Sequence, residues 1–270
     1  VTENPGKQMI SKYLIVPILF LVTATLSGQV FSKGAVVECS EMSVDIHQGA
    51  TMDQYCHILL GQYAPAAEKA FPGSTVFFAK GARGDAESKL GSIRVFKSTE
   101  IRDRYFDAQD HFTESGQQAI KTLSPIIDQL DQLGTTSRKI TNWIIVNEPR
   151  AGLVLQKGGS FGLHLLTVTL ADGVTMDQFL EFMSDRYVPA LVSQFTDLEV
   201  LIMKPLEETR EKRIAYVNYF ESESSRDSYW PEPDTPSEGV VEAQKKVQSI
   251  MFELLELGTW TDEYGVWVMQ

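Results

Sequence analysis

Gly49-Ala50-Thr51-Met52-Asp53-Gln54-Tyr55 returns, 124 positions on, as Gly173-Val174-Thr175-Met176-Asp177-Gln178-Phe179. The same offset, without a gap, lays Tyr63 and Pro65-Ala66 on Tyr187 and Pro189-Ala190, Phe71 on Phe195, and Phe96 on Phe220. It continues to the end, with Arg102-Asp103 on Arg226-Asp227, Leu133-Gly134-Thr135 on Leu257-Gly258-Thr259, and Trp143 on Trp267. A period this long is a whole domain rather than a solenoid unit. The 270 residues therefore read as two copies of one small fold, over 30–146 and 160–270, joined by a linker over 147–159.

One copy suffices to read the fold. Phe161 to Leu170 is β-branched and apolar and ends at the turn Ala171-Asp172-Gly173, so it is a strand. A helix follows, because Thr51 with Gln54, and Thr175 with Gln178, have the capping-box spacing. Pro65 and Pro189 fall late in that helix, where proline kinks or ends it. Two strands come next, Thr75 to Lys80 and Leu90 to Phe96, mirrored by Glu199 to Lys204 and Ile214 to Phe220. Ser98 or Ser222 then caps a short helix. A longer helix runs to Gly134 or Gly258, read as left-handed caps, and the last strand carries Trp143 or Trp267. The order is β-α-β-β-α-β, an α+β class with two tandem ferredoxin-like units.

This order, the duplication and the Tyr-x-Pro-Ala of the first helix (Tyr63 to Ala66, Tyr187 to Ala190) resemble the dimeric α+β-barrel superfamily. Its members include antibiotic-biosynthesis-type monooxygenases, EthD-like proteins, muconolactone isomerases, haem-degrading monooxygenases and chlorite dismutases. The resemblance spans nearly all of residues 35–270 and concerns architecture. It implies two facing sheets that form an intramolecular α+β barrel, in a monomer with an internal pseudo-twofold axis. No catalytic residue carries over from it.

The N-terminal 1–29 are of another kind. Lys7 and Lys12 precede the apolar run Tyr13 to Val22, and small residues follow to Gly28, the pattern of upstream sequence plus a secretory signal peptide starting near Met9. A membrane anchor is the alternative, disfavoured by a run short for a bilayer and broken by Pro17. The expectation is an exported, periplasmic or secreted protein with no stable span after cleavage. The net charge of −12 argues against nucleic-acid partners. Cys39 and Cys56 align with Leu163 and Leu180, so buried free thiols are expected, with a disulfide the alternative in an oxidising compartment.

Period-two alternation splits each inner strand. Ala215, Val217 and Tyr219, with Gly91, Ile93 and Val95, form the apolar face expected under the helices. The mixed face, with Arg94, Tyr216 and Asn218, is then expected inside the barrel, joined by Glu38 and His164 from the opening strands. Trp143 and Trp267 are candidates to stack on an aromatic ligand. His164 has base or ligand chemistry, while His47, His57 and His111 read as surface or packing residues. No metal-ligand spacing, nucleophile elbow or phosphate loop is present, so no metal and no cofactor are expected. Two functions follow. One is a non-catalytic module binding a small apolar or aromatic molecule; the other is a cofactor-independent monooxygenase- or isomerase-type enzyme.

Overall fold

The computed structural model describes residues 31–149, 153, 155–207, 212–232 and 235–270. The export segment expected before residue 30 lies outside the described residues. The described residues form eight strands: β1 (Val36–Ile46), β2 (Ser74–Gly84), β3 (Leu90–Phe96) and β4 (Gly134–Ile145), then β5 (Ser160–Leu170), β6 (Glu199–Pro205), β7 (Arg213–Phe220) and β8 (Gly258–Met269). Each opening strand is followed by a helix in two pieces, α1 (Met52–Ile58) and α2 (Ala64–Ala70), or α5 (Met176–Phe182) and α6 (Val188–Val192). A short helix and a long one precede each last strand: α3 (Thr99–Arg102) and α4 (Glu114–Leu133), or α7 (Glu223–Tyr229) and α8 (Glu238–Leu257).

The strands are antiparallel and close into a barrel in the order β1-β3-β2-β8-β5-β7-β6-β4. The first four make a sheet of order β4-β1-β3-β2, the last four one of order β8-β5-β7-β6. Each sheet would leave two strands with unpaired backbone edges. Both edges are paired here. β2 joins β8 from Ala79–Met269 to Gly84–Gly265, with a bulge between Gly81 and Arg83. β4 joins β6 by the pairs Trp143–Pro205, Ile144–Lys204 and Ile145–Met203. That shorter seam is extended by Asn147, which is buried: its Nδ2 donates to the Val200 carbonyl at 2.9 Å and its Oδ1 accepts from the Ile202 N–H at 2.7 Å. Sequence reasoning placed Asn147 in a linker; it acts as one more rung of the ladder.

Local chemistry explains the helices. Both capping boxes form, with Thr51 Oγ1 accepting from Gln54 N–H and Gln54 Oε1 from Thr51 N–H, and the same for Thr175 and Gln178. The prolines do not end these helices. A π-helical turn, Leu59–Tyr63 or Met183–Tyr187, comes first, and Pro65 and Pro189 open the next α-helical segment, where their missing N–H costs little. Gly134 and Gly258 are not left-handed caps but extended, at φ −175° and 169°. Glycine is needed because a Cβ there would come within 2.9 Å of the Asp45 carbonyl oxygen and 2.8 Å of the Thr169 one.

The core has three parts. All eight strands contribute to the barrel interior, which is packed with Val37, Val95, Trp143, Leu201, Val217 and Trp267 among others. The other two lie between each sheet and its own helices, around Phe71 and Phe96 in one and Phe195 and Phe220 in the other. Cys39 belongs to the barrel side and Cys56 packs on the helix side, and both thiols are free. No described helix is long and apolar enough to cross a membrane.

Asn147→Ala leaves a buried N–H and a buried carbonyl unpaired at the β4–β6 seam. It should lower stability by about 1–3 kcal/mol in urea unfolding and speed amide exchange at Ile202 before that of the β1–β4 ladder. Exchange at Ile202 as slow as in the parent would show that the seam does not depend on this side chain.

Candidate functional site

The strand faces are the reverse of the sequence expectation. Ala215, Val217 and Tyr219 point into the barrel with Ile93 and Val95, whereas Ile214, Tyr216 and Phe220 pack under the second-half helices. Both faces of these strands are covered, one by the opposite sheet and one by helices. Alternation therefore separates the two faces without saying which is inside. The barrel interior is apolar and filled: Phe161 stacks on Trp267 at 6.3 Å, and Trp143 donates its indole N–H to Thr141 Oγ1 at 2.9 Å. A space of about 70 Å³ opens beside Cys39, Ser40 and Trp267. Trp143 and Trp267 are thus core residues, and the barrel pocket expected from the sequence is replaced by a cleft elsewhere.

The seven candidates separate into three places. Trp143 and Trp267 lie in the barrel. Arg94 and Glu38, 3.8 Å apart, lie on the helix side of the first sheet, and the Arg94 guanidinium covers the Phe71 ring at 4.4 Å. His164, Tyr216 and Asn218 come together on the helix side of the second sheet. They form the floor of a cleft of about 540 Å³ between β5, β7 and β8 below and the π-helical turn Met183–Tyr187, α6 and α8 above. Its walls are largely apolar: Met183, Tyr187, Leu191, Phe195, Trp230 and Trp260. At the offset of 124, Arg94 stands where the second half has Asn218 and Glu38 where it has Gly162. A small amide and a glycine leave room that the guanidinium and its carboxylate fill in the first half.

The polar end is built around His164. Its Nδ1 is 2.6 Å from Asp262 Oδ2, and its ring lies 4.3 Å from that of Tyr264 and 5.6 Å, edge on, from Tyr216. Adjacent strands fix these partners, because His164 is in register with Tyr216 on β7 and Tyr264 on β8. An ionised carboxylate only accepts, so Nδ1 carries the proton, and in the neutral ring Nε2 keeps a lone pair for a ligand. Asp262 was not found from the sequence; the matching residue is Arg138, and the signal lies in the strand pairing alone. Burial pushes the Tyr187 phenol up to about 12, and burial with Tyr187 nearby pushes Tyr216 well above the ordinary phenol value. Both are therefore hydroxyl donors rather than phenolates at neutral pH.

A second chamber of about 470 Å³ shares His164, Asn218, Trp230, Gln244 and Asp262 with the first. It runs on past Gly162 and Tyr264 to Arg83, Gly84 and Arg226. Gly162 has to be small because a Cβ there would sit 3.0 Å from the Tyr264 ring.

Neither a family model nor a curated protein matches the chain. Solved structures do. A candidate monooxygenase from Fusobacterium nucleatum superposes with a TM-score of 0.53 at 8% identity, over 88% of this chain and 94% of that one. A protein from Thermus thermophilus described as haem-binding gives 0.50 at 10% identity, over 90% and 94%. The fold is an α+β barrel. Identities this low establish the fold and leave the chemistry to the cleft itself.

Tyr216, buried, and Tyr187, half-buried, give the stability a pH dependence. The native state keeps phenolic protons that the unfolded chain releases near pH 10, so their contribution is complete below that pH and is lost as pH rises through the raised native values, that of Tyr187 at about 12. Denaturation midpoints should fall above pH 10, and Tyr187→Phe should flatten that fall. An equally steep fall in the variant would exclude Tyr187 as its source.

Proposed function

We propose that the cleft of the second half binds a small apolar or aromatic molecule. The observation that carries this is the cleft itself: about 540 Å³, walled largely by aromatic and aliphatic side chains, with His164, Asn218 and Asp262 on the strands and Gln244, Lys245 and Gln248 on α8 as its polar groups. That volume and this composition are those of sites for small organic ligands. Aromatic side chains at the walls favour a ring-bearing guest. A packed barrel argues for this cleft over the barrel axis as the binding place.

A second reading is favoured by one distance, the 2.6 Å between His164 Nδ1 and Asp262 Oδ2. A carboxylate that orients an imidazole prepares Nε2 to take a proton from a bound ring hydroxyl or an acidic C–H. That is the reading of a monooxygenase- or isomerase-type enzyme, acting in the cleft rather than in the barrel. The same arrangement suits a metal-ligating imidazole, so His164 is the residue that would hold the iron of a haem, and the bound haem would supply oxygen chemistry. Three cysteine, histidine or carboxylate side chains do not gather at a metal-binding distance among the described residues.

The same proposal takes 30–146 and 160–270 as tandem ferredoxin-like units, duplicated from one ancestor and closed into a monomeric barrel. Support comes from the offset of 124 that relates both capping boxes, both π-helical turns and both 20-residue helices. Export with loss of residues up to about 28 completes it, on the pattern of Lys7 to Gly28. N-terminal sequencing of the protein recovered from cells tests that part.

Mass spectrometry of molecules retained by the purified protein should find a small aromatic or apolar compound. Leu191→Trp, which fills the cleft, should abolish retention, and His164→Ala should weaken it by about 1–3 kcal/mol with unfolding unchanged. Retention that survives Leu191→Trp would move the site away from this cleft. Absorbance titration with haemin separates the haem reading, since a Soret shift lost in His164→Ala is expected from it alone.

A further inference from the structure

The second chamber is completed by a residue from the other half of the chain. Arg83 lies on β2, in the first half, just past the bulge between Gly81 and Arg83. A bulge re-aims the side chains beside it. Here it carries Arg83 over the edge of β8 and into the second-half cleft, and the next residue is Gly84, at φ +66°, a conformation that favours glycine. A Cβ at Gly84 would lie 2.8 Å from the Tyr264 carbonyl oxygen. The backbone is therefore shaped to let Arg83 approach.

Two guanidiniums, of Arg83 and Arg226, meet at the far end of the chamber. Its Nη2 donates to Asp227 Oδ1 at 3.0 Å and its Nη1 to the Trp230 carbonyl at 3.3 Å. That same Asp227 oxygen already accepts from Arg226, at 2.8 Å from Nε and 2.6 Å from Nη2. Arg226 is buried and also bonds Ser160. Two guanidiniums thus share one carboxylate oxygen. Glu223, 3.7 Å from Arg226 with its side chain 52% exposed, is screened by solvent. Of the two carboxylates lining the chamber, Asp262 is engaged by His164 and Glu232 is exposed. Arg83 uses two of its five N–H donors among the described residues, and its side chain is 22% exposed.

We propose that this chamber takes the anionic head of the ligand, a carboxylate or sulfonate carried on an aromatic body, with Arg83 as the group that reads it. This rests on the cleft being the binding site and adds the class of molecule: an aromatic acid, its ring among the apolar walls and its acid group beyond His164. A guanidinium suits such a head because it can donate two parallel bonds to it.

Anilinonaphthalene sulfonate and phenylnaphthylamine test this, since they share an aromatic body and differ by the acid group. The full chain should bind the sulfonate about tenfold more tightly, with the advantage shrinking as salt rises. Arg83→Met should remove the advantage and leave the neutral amine bound as before, while Arg83→Lys should retain part of it. Equal binding of the two probes by the unaltered protein, or an advantage that persists in Arg83→Met, would overturn the anionic subsite with the cleft intact. If Arg83→Met does not fold, the salt dependence of the unaltered protein and the Arg83→Lys ratio decide the matter. Failure of both probes to bind, or indifference of both to Leu191→Trp, would instead sink the cleft.

Discussion

Edge pairing is the constraint on which the rest of this molecule depends. Two four-stranded sheets bring four edges, each a row of unpaired backbone groups, and here every edge strand finds its partner in the other half. The two seams differ in kind. The β2–β8 seam carries a bulge, and the β4–β6 seam is short and lengthened by the Asn147 amide, which supplies the donor and acceptor that a further rung would have supplied. Closure at both seams brings the inward side chains of eight strands together, and with them the apolar barrel interior around Trp143 and Trp267.

With the barrel interior filled in this way, the two chambers beside His164 lie on the outer side, between sheet and helices. That space is used differently in the two halves. In the first, Arg94 lies on Phe71 and faces Glu38. In the second, Asn218 and Gly162 take the matching places, and a cleft opens under the π-helical turn and α8. The π-helical turn contributes Met183 and Tyr187 to its walls. Such turns concentrate at functional sites because the extra residue bulges the helix and redirects its side chains. The cleft beside His164 thus lies in the second half, and Arg83 of the first half lines the chamber next to it.

The polar end shows how strand register builds a site from residues that mean little singly. His164 on β5 lies between Tyr216 on β7 and Tyr264 on β8, and Asp262, two residues before Tyr264 on the same strand, reaches its Nδ1. Each of these is an ordinary strand residue by itself. Pairing sets them side by side, and burial keeps the Tyr216 phenol protonated.

Element order, both capping boxes and the serine caps of the short helices were legible in the sequence, because each is set by contacts within a few residues. Helices α1 and α5, and α4 and α8, start 124 positions apart, where the capping residues recur. His164, Tyr216 and Asn218 share one face of the second sheet, because alternation along a strand is local geometry, while Arg94 and Glu38, expected beside them, lie under the first-half helices. Which face was inside was not legible, since helices cover one side and the opposite sheet the other, and both demand apolar residues. Nor were Asp262 beside His164, Asn147 in the seam, or Arg83 in the chamber, because each depends on pairing between segments far apart in the chain. The sequence by itself determined the elements and their alternation. The tertiary structure alone decided inside from outside and cleft from core, because burial is a property of what packs against a face and not of the face itself.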